Sequence, residues 1–247
     1  MKNNNKFRLD VWGAITLGTI ALYALFLLYP MAYLIRQSVL DPDTGSFTLA
    51  YFTKFFSKSY YFDTLINSFK VSITATVLSI AIGTPLAYLF TIFKIKGKSV
   101  LNILIVVASM SAPFIGAYSW ILLLGRSGII TTFFKNLGIA IPDIYGFGGI
   151  VLVMTLQLFP LVFLYAKGAL KNIDNSLIEA AENLGCSGIV CFFKVVVPLI
   201  MPTLLAAALL VFMRSFADFG TPMLIGEGYR TFPVVLYTEF INEVGGS

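Results

Sequence analysis

The chain has 247 residues, of which 58% are hydrophobic and 12% charged, with a net charge of +5. A soluble domain carries about 25% charged residues to clothe its surface, so an ordinary soluble enzyme is excluded. The positive balance does not indicate nucleic-acid binding either, because the basic residues are scattered at the ends of apolar runs, as membrane topology places them.

Lys2, Lys6 and Arg8 precede an apolar run from Val11 to Ile35 that lacks a small-residue cleavage site behind a short core. It reads as a retained span, Trp12 to Ile35, and not as a cleaved signal. The turn-rich stretch Asp41-Pro42-Asp43-Thr44-Gly45 follows. Leu49 to Tyr61 is aromatic, carries Lys54 and Lys58, and reads as a short interfacial helix. Span two is Leu65 to Phe93, where Ser72, Thr76, Ser79 and Gly83 recur at helical spacing as a small-residue packing face. Lys94, Lys96 and Lys98 crowd the next loop, and span three runs from Val100 to Leu124. A loop with Gly125, Arg126, Gly128, Gly138, Pro142 and Asp143 leads to span four, Phe147 to Tyr165. The polar segment from Lys167 to Lys194 precedes span five, Val195 to Phe219. Gly220 to Ser247 is too polar, and too broken by glycine and proline, for a sixth span.

A spanning helix needs about 20 mostly apolar residues, and lipid offers its backbone no partners. The alternating strands of a barrel are not seen. The expected fold is therefore all-α: one polytopic transmembrane bundle over residues 1–247, with about five spans. Lysine favours short cytoplasmic loops, so the cluster at Lys94 to Lys98 puts the N-terminus and the segment from Lys167 to Lys194 on the cytoplasmic side. Pro30, Pro85, Pro113, Pro160, Pro198 and Pro202 lie in or beside the spans, as packing irregularities or as hinges.

The chain has no histidine, no Gly-x4-Gly-Lys-Ser/Thr phosphate loop and no nucleophile–base constellation. Cys186 and Cys191 alone make a poor zinc site. No catalytic residue, cofactor or metal is expected. Gln157 in span four reads as an interhelical hydrogen bond or a pathway residue. Arg214 and Asp218, four apart, read as a pair or as part of a gate.

The informative stretch is Asp174-Asn175-Ser176-Leu177-Ile178-Glu179-Ala180-Ala181-Glu182-Asn183-Leu184-Gly185. Asp174 or Ser176 can cap a helix. Leu177, Ala180, Ala181 and Leu184 form an apolar stripe, with Glu179 and Glu182 on another face. Gly185 can end the helix with a positive φ. A second short helix is expected from Ser187 to Lys194. An amphipathic helix held between two spans fits a groove on a partner protein better than an anionic lipid surface, because it carries two glutamates and no basic residue.

This segment resembles the EAA loop of ATP-binding-cassette importer permeases, through Glu179-Ala180-Ala181, Gly185, Val195, Val197 and Pro198. Asn67-Ser68, Gly83 to Tyr88, Pro113 and Trp120 to Gly125 look like the same family. The resemblance implies a cytoplasmic coupling helix between spans four and five, with Leu177, Glu179, Ala180, Ala181, Leu184 and Gly185 docking on an ATPase dimer. It also implies that ATP is hydrolysed by that separate subunit. A second permease half, an external or periplasmic substrate-binding protein and a bacterial inner (plasma) membrane location follow from it. Phe216 to Pro222 is similar to the branch that imports ferric iron, thiamine, phosphonate or polyamine. Ferric iron is favoured and the others stay open. A secondary transporter is the remaining alternative, and it would call for ionisable residues in the span centres. The family pattern places a sixth span after Gly245, so the chain is expected to be a fragment or the first part of a longer permease.

Overall fold

The computed structural model describes residues 11–41, 44–93, 96–186 and 188–245. The sequence features at Lys2, Lys6, Arg8, Pro42, Asp43, Lys94, Ser187 and Ser247, and the side chain of Glu182, lie outside what is described. The fold is all-α, a polytopic helix bundle. Among the described residues five segments are long and apolar enough to cross a membrane: Val11–Val39, Ser59–Ile92, Pro113–Asn136, Phe147–Lys171 and Gly188–Phe216. The chain divides into two units, Met1–Phe62 and Asp63–Ser247.

In the first unit, α1 (Val11–Val39) is apolar and long enough to cross a membrane. The turn Ala24–Leu28 is π-helical just ahead of Pro30. Proline has no N–H to donate and crowds the preceding turn, and a widened turn relieves both. A tight loop follows, with Gly45 N–H donating to the Asp41 carbonyl at 2.8 Å. The aromatic segment forms α2 (Ala50–Ser57), shorter than the stretch from Leu49 to Tyr61.

The second unit is a bundle with two distinct ends. α3 (Ser59–Ile92) is 34 residues long. Its small-residue face is buried, with Ser72 and Ser79 enclosed. At Gly83 a Cβ would lie 2.8 Å from the Val162 Cβ and 2.9 Å from the Phe159 carbonyl oxygen, so only glycine admits the approach of α7. At one end Ala87, Phe90, Leu170, Phe192 and Val196 share a core. Towards the other, Val71, Ala75, Ala117, Ile144, Ile150, Met154 and Ile225 form a second core.

Span three differs from the sequence expectation. Val100 to Leu124 is not one helix but two, α4 (Lys98–Ser109) and α5 (Pro113–Leu124). A residue before proline is pushed out of the helical region, and Ala112 is extended at φ −68°, ψ 143°. Each half has 12 residues, about 18 Å of helix against a hydrocarbon core of about 30 Å. The glycine-rich loop also holds an unforeseen helix, α6 (Ile129–Asn136). α7 (Phe147–Lys171) runs on past Tyr165. α8 (Asn175–Asn183) follows. α9 (Gly188–Phe216) absorbs the separate short helix expected up to Lys194, through a π-helical turn at Phe192–Val196 just before Pro198. The last segment is more ordered than its polarity suggests: α10 (Gly220–Ile225) and α11 (Phe232–Gly245) bury Thr221, Ile225, Thr231 and Val235. Ser68 Oγ accepts from the Phe232 N–H at 2.8 Å, and Asn67 Nδ2 donates to the Arg230 carbonyl at 3.1 Å, fixing the entry to α11.

Candidate functional site

At the end of the bundle where α3, α7 and α9 meet, α8 forms a short helix with a cap at each end. Asp174 Oδ1 accepts the Ser176 N–H at 3.0 Å. That backbone bond, helped by the Ser176 side chain, holds the Asp174 carboxyl below its ordinary range. At the far end Gly185 takes φ +84°. The Leu184 N–H reaches the Ala180 carbonyl at 3.1 Å and the Cys186 N–H reaches that of Ala181 at 3.0 Å, closing the last turn. Ile178 anchors the helix on the bundle core. The outer face leaves Leu177 50% and Leu184 90% exposed. Ala180 and Glu179 are exposed as well, and Ala181 is half-buried. Ile189 and Phe193, on the first turns of α9, continue this apolar surface. Cys186 and Cys191 are free thiols, and no cluster of three or more metal-binding side chains occurs among the described residues.

Away from α8, the break between α4 and α5 opens one wall of a half-open cavity of about 470 Å³. Gln157 of α7, Arg214 of α9 and Asp218 of the α9–α10 junction all line it, with Ser109, Ser111 and Phe114 from the break. The hydrogen bond expected of Gln157 is not made by its amide nitrogen, which is buried without a partner. A Cβ on Gly116 would fall 2.1 Å from that nitrogen, so glycine at 116 leaves the amide its room.

The pairing of Arg214 with Asp218 is not formed either. Asp218 instead caps α10: Oδ2 accepts the Thr221 hydroxyl at 2.7 Å and Oδ1 accepts the Thr221 N–H at 3.2 Å. Asp218 is partly buried and Arg214 exposed.

A third group of residues escaped sequence reasoning altogether. Arg126 bridges Asp143 at 3.0 Å and Glu227 at 2.9 Å, with its guanidinium 4.7 Å from the centre of the Tyr145 ring. Glu227 holds φ +46°. Nearby, the Gly146 N–H donates to the Ile225 carbonyl at 2.9 Å. These contacts tie three loops together at the end of the bundle opposite α8. No sequence signal links residues so far apart.

The fold is that of known importers. A solved bacterial alginate ABC transporter, in complex with an alginate pentasaccharide-bound periplasmic protein, superposes with a TM-score of 0.72 at 16% identity, covering 96% of this chain and 84% of that one. In sequence, the chain is 28% identical to the ferric transport system permease protein FbpB of Actinobacillus pleuropneumoniae over 96% of its own length, and spans 34% of that relative. It is 29% identical to the spermidine/putrescine transport system permease protein PotB of Haemophilus influenzae, covering 96% of this chain and 85% of that protein. Residues 46–244 match the model of the binding-protein-dependent transport system inner membrane component. A match over most of the chain, on a bundle with α8 held between α7 and α9, means that this multi-pass membrane protein belongs to that family of inner membrane transport components.

Proposed function

We propose that the chain is the permease part of an ATP-binding-cassette importer that receives a small solute from an external binding protein. The observation that carries this reading is α8: a helix capped at both ends, rigidly seated through Ile178, with Leu177 and Leu184 left bare. Lone apolar side chains on a surface are common, but a capped helix presenting them between two spans is built to enter a partner's groove. That partner is a cytoplasmic ATPase dimer, which hydrolyses the ATP, and a second permease half completes the pathway. The N-terminus and the α8 end lie in the cytoplasm, and the Arg126 end faces outwards towards the binding protein. The cargo is ferric iron, on the likeness of Phe216 to Pro222 to that branch and on the ferric relatives, of which this chain spans about a third.

Gly185→Val and Glu179→Lys test the coupling role. Valine at φ +84° is strained, and lysine reverses an exposed charge beside the docking face. Both variants are expected to reach the membrane, to weaken co-purification of the ATPase and to abolish uptake of radiolabelled iron. Normal ATPase binding with normal uptake in both would return α8 to a plain surface helix.

A further inference from the structure

The cavity between the α4–α5 break, α7 and the α9–α10 junction holds its polar groups in an unequal state. Ser109 Oγ is used by the Val106 carbonyl at 2.6 Å. Asp218 is used at both oxygens by Thr221. Three donors are left over. The Gln157 Nε2 is buried with no partner. Among the described residues Arg214 has no ion pair. Ser111 Oγ makes only a long contact, 3.5 Å, to the Ala112 carbonyl and remains available.

The depth of Arg214 makes its unpaired charge significant. Ser215 Oγ donates to Met154 Sδ at 3.1 Å. Met154 is seven residues into α7, about 10 Å along it, so Arg214, in the last turn of α9, stands about two turns in from the start of α7. A bare guanidinium at such a depth is costly against hydrocarbon, and it faces a polar cavity or a counter-charge. The one carboxylate on the cavity wall, Asp218, is already engaged by the helix it caps.

We infer that this cavity binds an oxyanion group of the cargo, with Arg214 supplying a two-pronged charge-assisted contact and the Gln157 amide and Ser111 hydroxyl donating the remaining hydrogen bonds. Arginine's planar fork matches the paired oxygens of phosphate, phosphonate or carboxylate. The same lining disfavours a polyamine, whose ammonium groups would meet Arg214 while the Asp218 carboxylate is engaged by Thr221. It equally disfavours bare ferric iron, a hard cation that takes several oxygen ligands, since no cluster of such residues exists among those described. The inference rests on the importer reading and refines its cargo: iron passes this point carried by an oxyanion ligand, or the cargo is itself a free oxyanion such as a phosphonate.

The test uses the full-length protein, purified from membranes into lipid nanodiscs together with the ATPase that accompanies it. Equilibrium binding is measured for methylphosphonate, ferric pyrophosphate and spermidine. Saturable binding of ferric pyrophosphate marks an oxyanion-borne metal, and binding of methylphosphonate alone marks a free oxyanion. Either result is expected to weaken by about tenfold to a hundredfold in Arg214→Gln, the loss of a hydrogen bond to a charged group. Arg214→Lys recovers part of it and Gln157→Leu loses a smaller share. Gln157→Leu carries the test alone if Arg214→Gln fails to assemble. Asp218→Asn, which keeps a capping oxygen, leaves oxyanion binding as tight or tighter. Spermidine binding that Asp218→Asn abolishes, or oxyanion binding that neither Arg214→Gln nor Gln157→Leu alters, overturns the assignment. Absence of oxyanion binding in the wild type overturns it too. If no ATPase accompanies the wild type, the importer reading falls, and the same binding measurements still decide the cavity.

Discussion

The outer face of α8 and the cavity at the α4–α5 break both leave groups without protein partners, and the groups are of opposite kinds. On α8 both ends are capped, by Asp174 at the start and the Gly185 turn at the close, and among what stays bare are two large apolar side chains, Leu177 and Leu184. In the cavity the packing is largely apolar and what remains is polar: the Gln157 amide and the Arg214 guanidinium. Apolar surface without a partner is satisfied by another protein's groove, because burying it is favourable and non-directional. Donors without a partner at membrane depth are satisfied by a ligand or by water, because leaving them bare is costly and directional. On the proposed reading, α8 meets a permanent partner and the cavity a transient one.

The largest expected effect comes from breaking what joins them. α3 and α7 meet at Gly83, where a methyl would press on Val162 and on the Phe159 backbone. α7 carries both Gln157 of the cavity and the last turn before α8. Gly83→Leu should destabilise the bundle by about 3 kcal/mol through overpacking, seen as a lower unfolding temperature in detergent. ATPase association and cargo binding should fall together. Loss of one with the other intact would mean that the two regions are not held by this contact.

A smaller change separates them. Leu184 is 90% exposed, so Leu184→Asp should alter the protein's own stability by no more than about 0.5 kcal/mol. If Leu184 is a docking anchor, its loss should weaken ATPase association by about 2 kcal/mol, roughly thirtyfold, while oxyanion binding to the cavity is untouched. Titration of purified ATPase against the variant in nanodiscs reads this directly. An unchanged affinity would move the docking surface away from the end of α8.

These regions also differ in how far they could be read from sequence. α8 is local. Its cap, stripe and terminating glycine lie within a dozen consecutive residues, and each acts on its neighbours along the chain, so Asp174 to Gly185 was legible residue by residue. The cavity is not local. Gln157, Arg214 and Asp218 were visible as polar residues in apolar runs, Ser111 was not singled out, and only folding brings these stretches to one wall. The sequence reading offered Arg214 the wrong partner, because spacing on a helix cannot show that Asp218 would turn to cap α10. The break in span three was hidden because hydropathy averages over a window. Its signal was the step from Ala112 to Pro113, which forces an extended residue into an apolar run. The Arg126 cluster left no trace at all, since Asp143 and Glu227 reach it from separate loops.

The smallest expected effect concerns how sharply α8 is held, and it is reached through pH. Asp174 accepts the Ser176 N–H, and this bond favours the charged carboxylate, which lowers its pKa in the folded chain. A group whose folded pKa lies below its unfolded value stabilises the fold above the unfolded pKa, and loses that contribution as pH falls through the folded one. The first turn of α8 should therefore be firm at neutral pH and fray only in acid, below the ordinary carboxylate range. Asp174→Asn keeps an oxygen acceptor at the cap, so it should hold the turn at neutral pH and abolish the acid transition. Asp174→Ala should fray the turn at every pH and modestly weaken ATPase association, by less than Leu184→Asp. Amide hydrogen exchange across Ser176 to Glu179, compared at neutral and acid pH, measures the cap itself. Equal protection in the wild type and Asp174→Ala at neutral pH would show that α8 is held by Ile178 and its neighbours alone, and the docking face would then owe its order to packing and not to its cap.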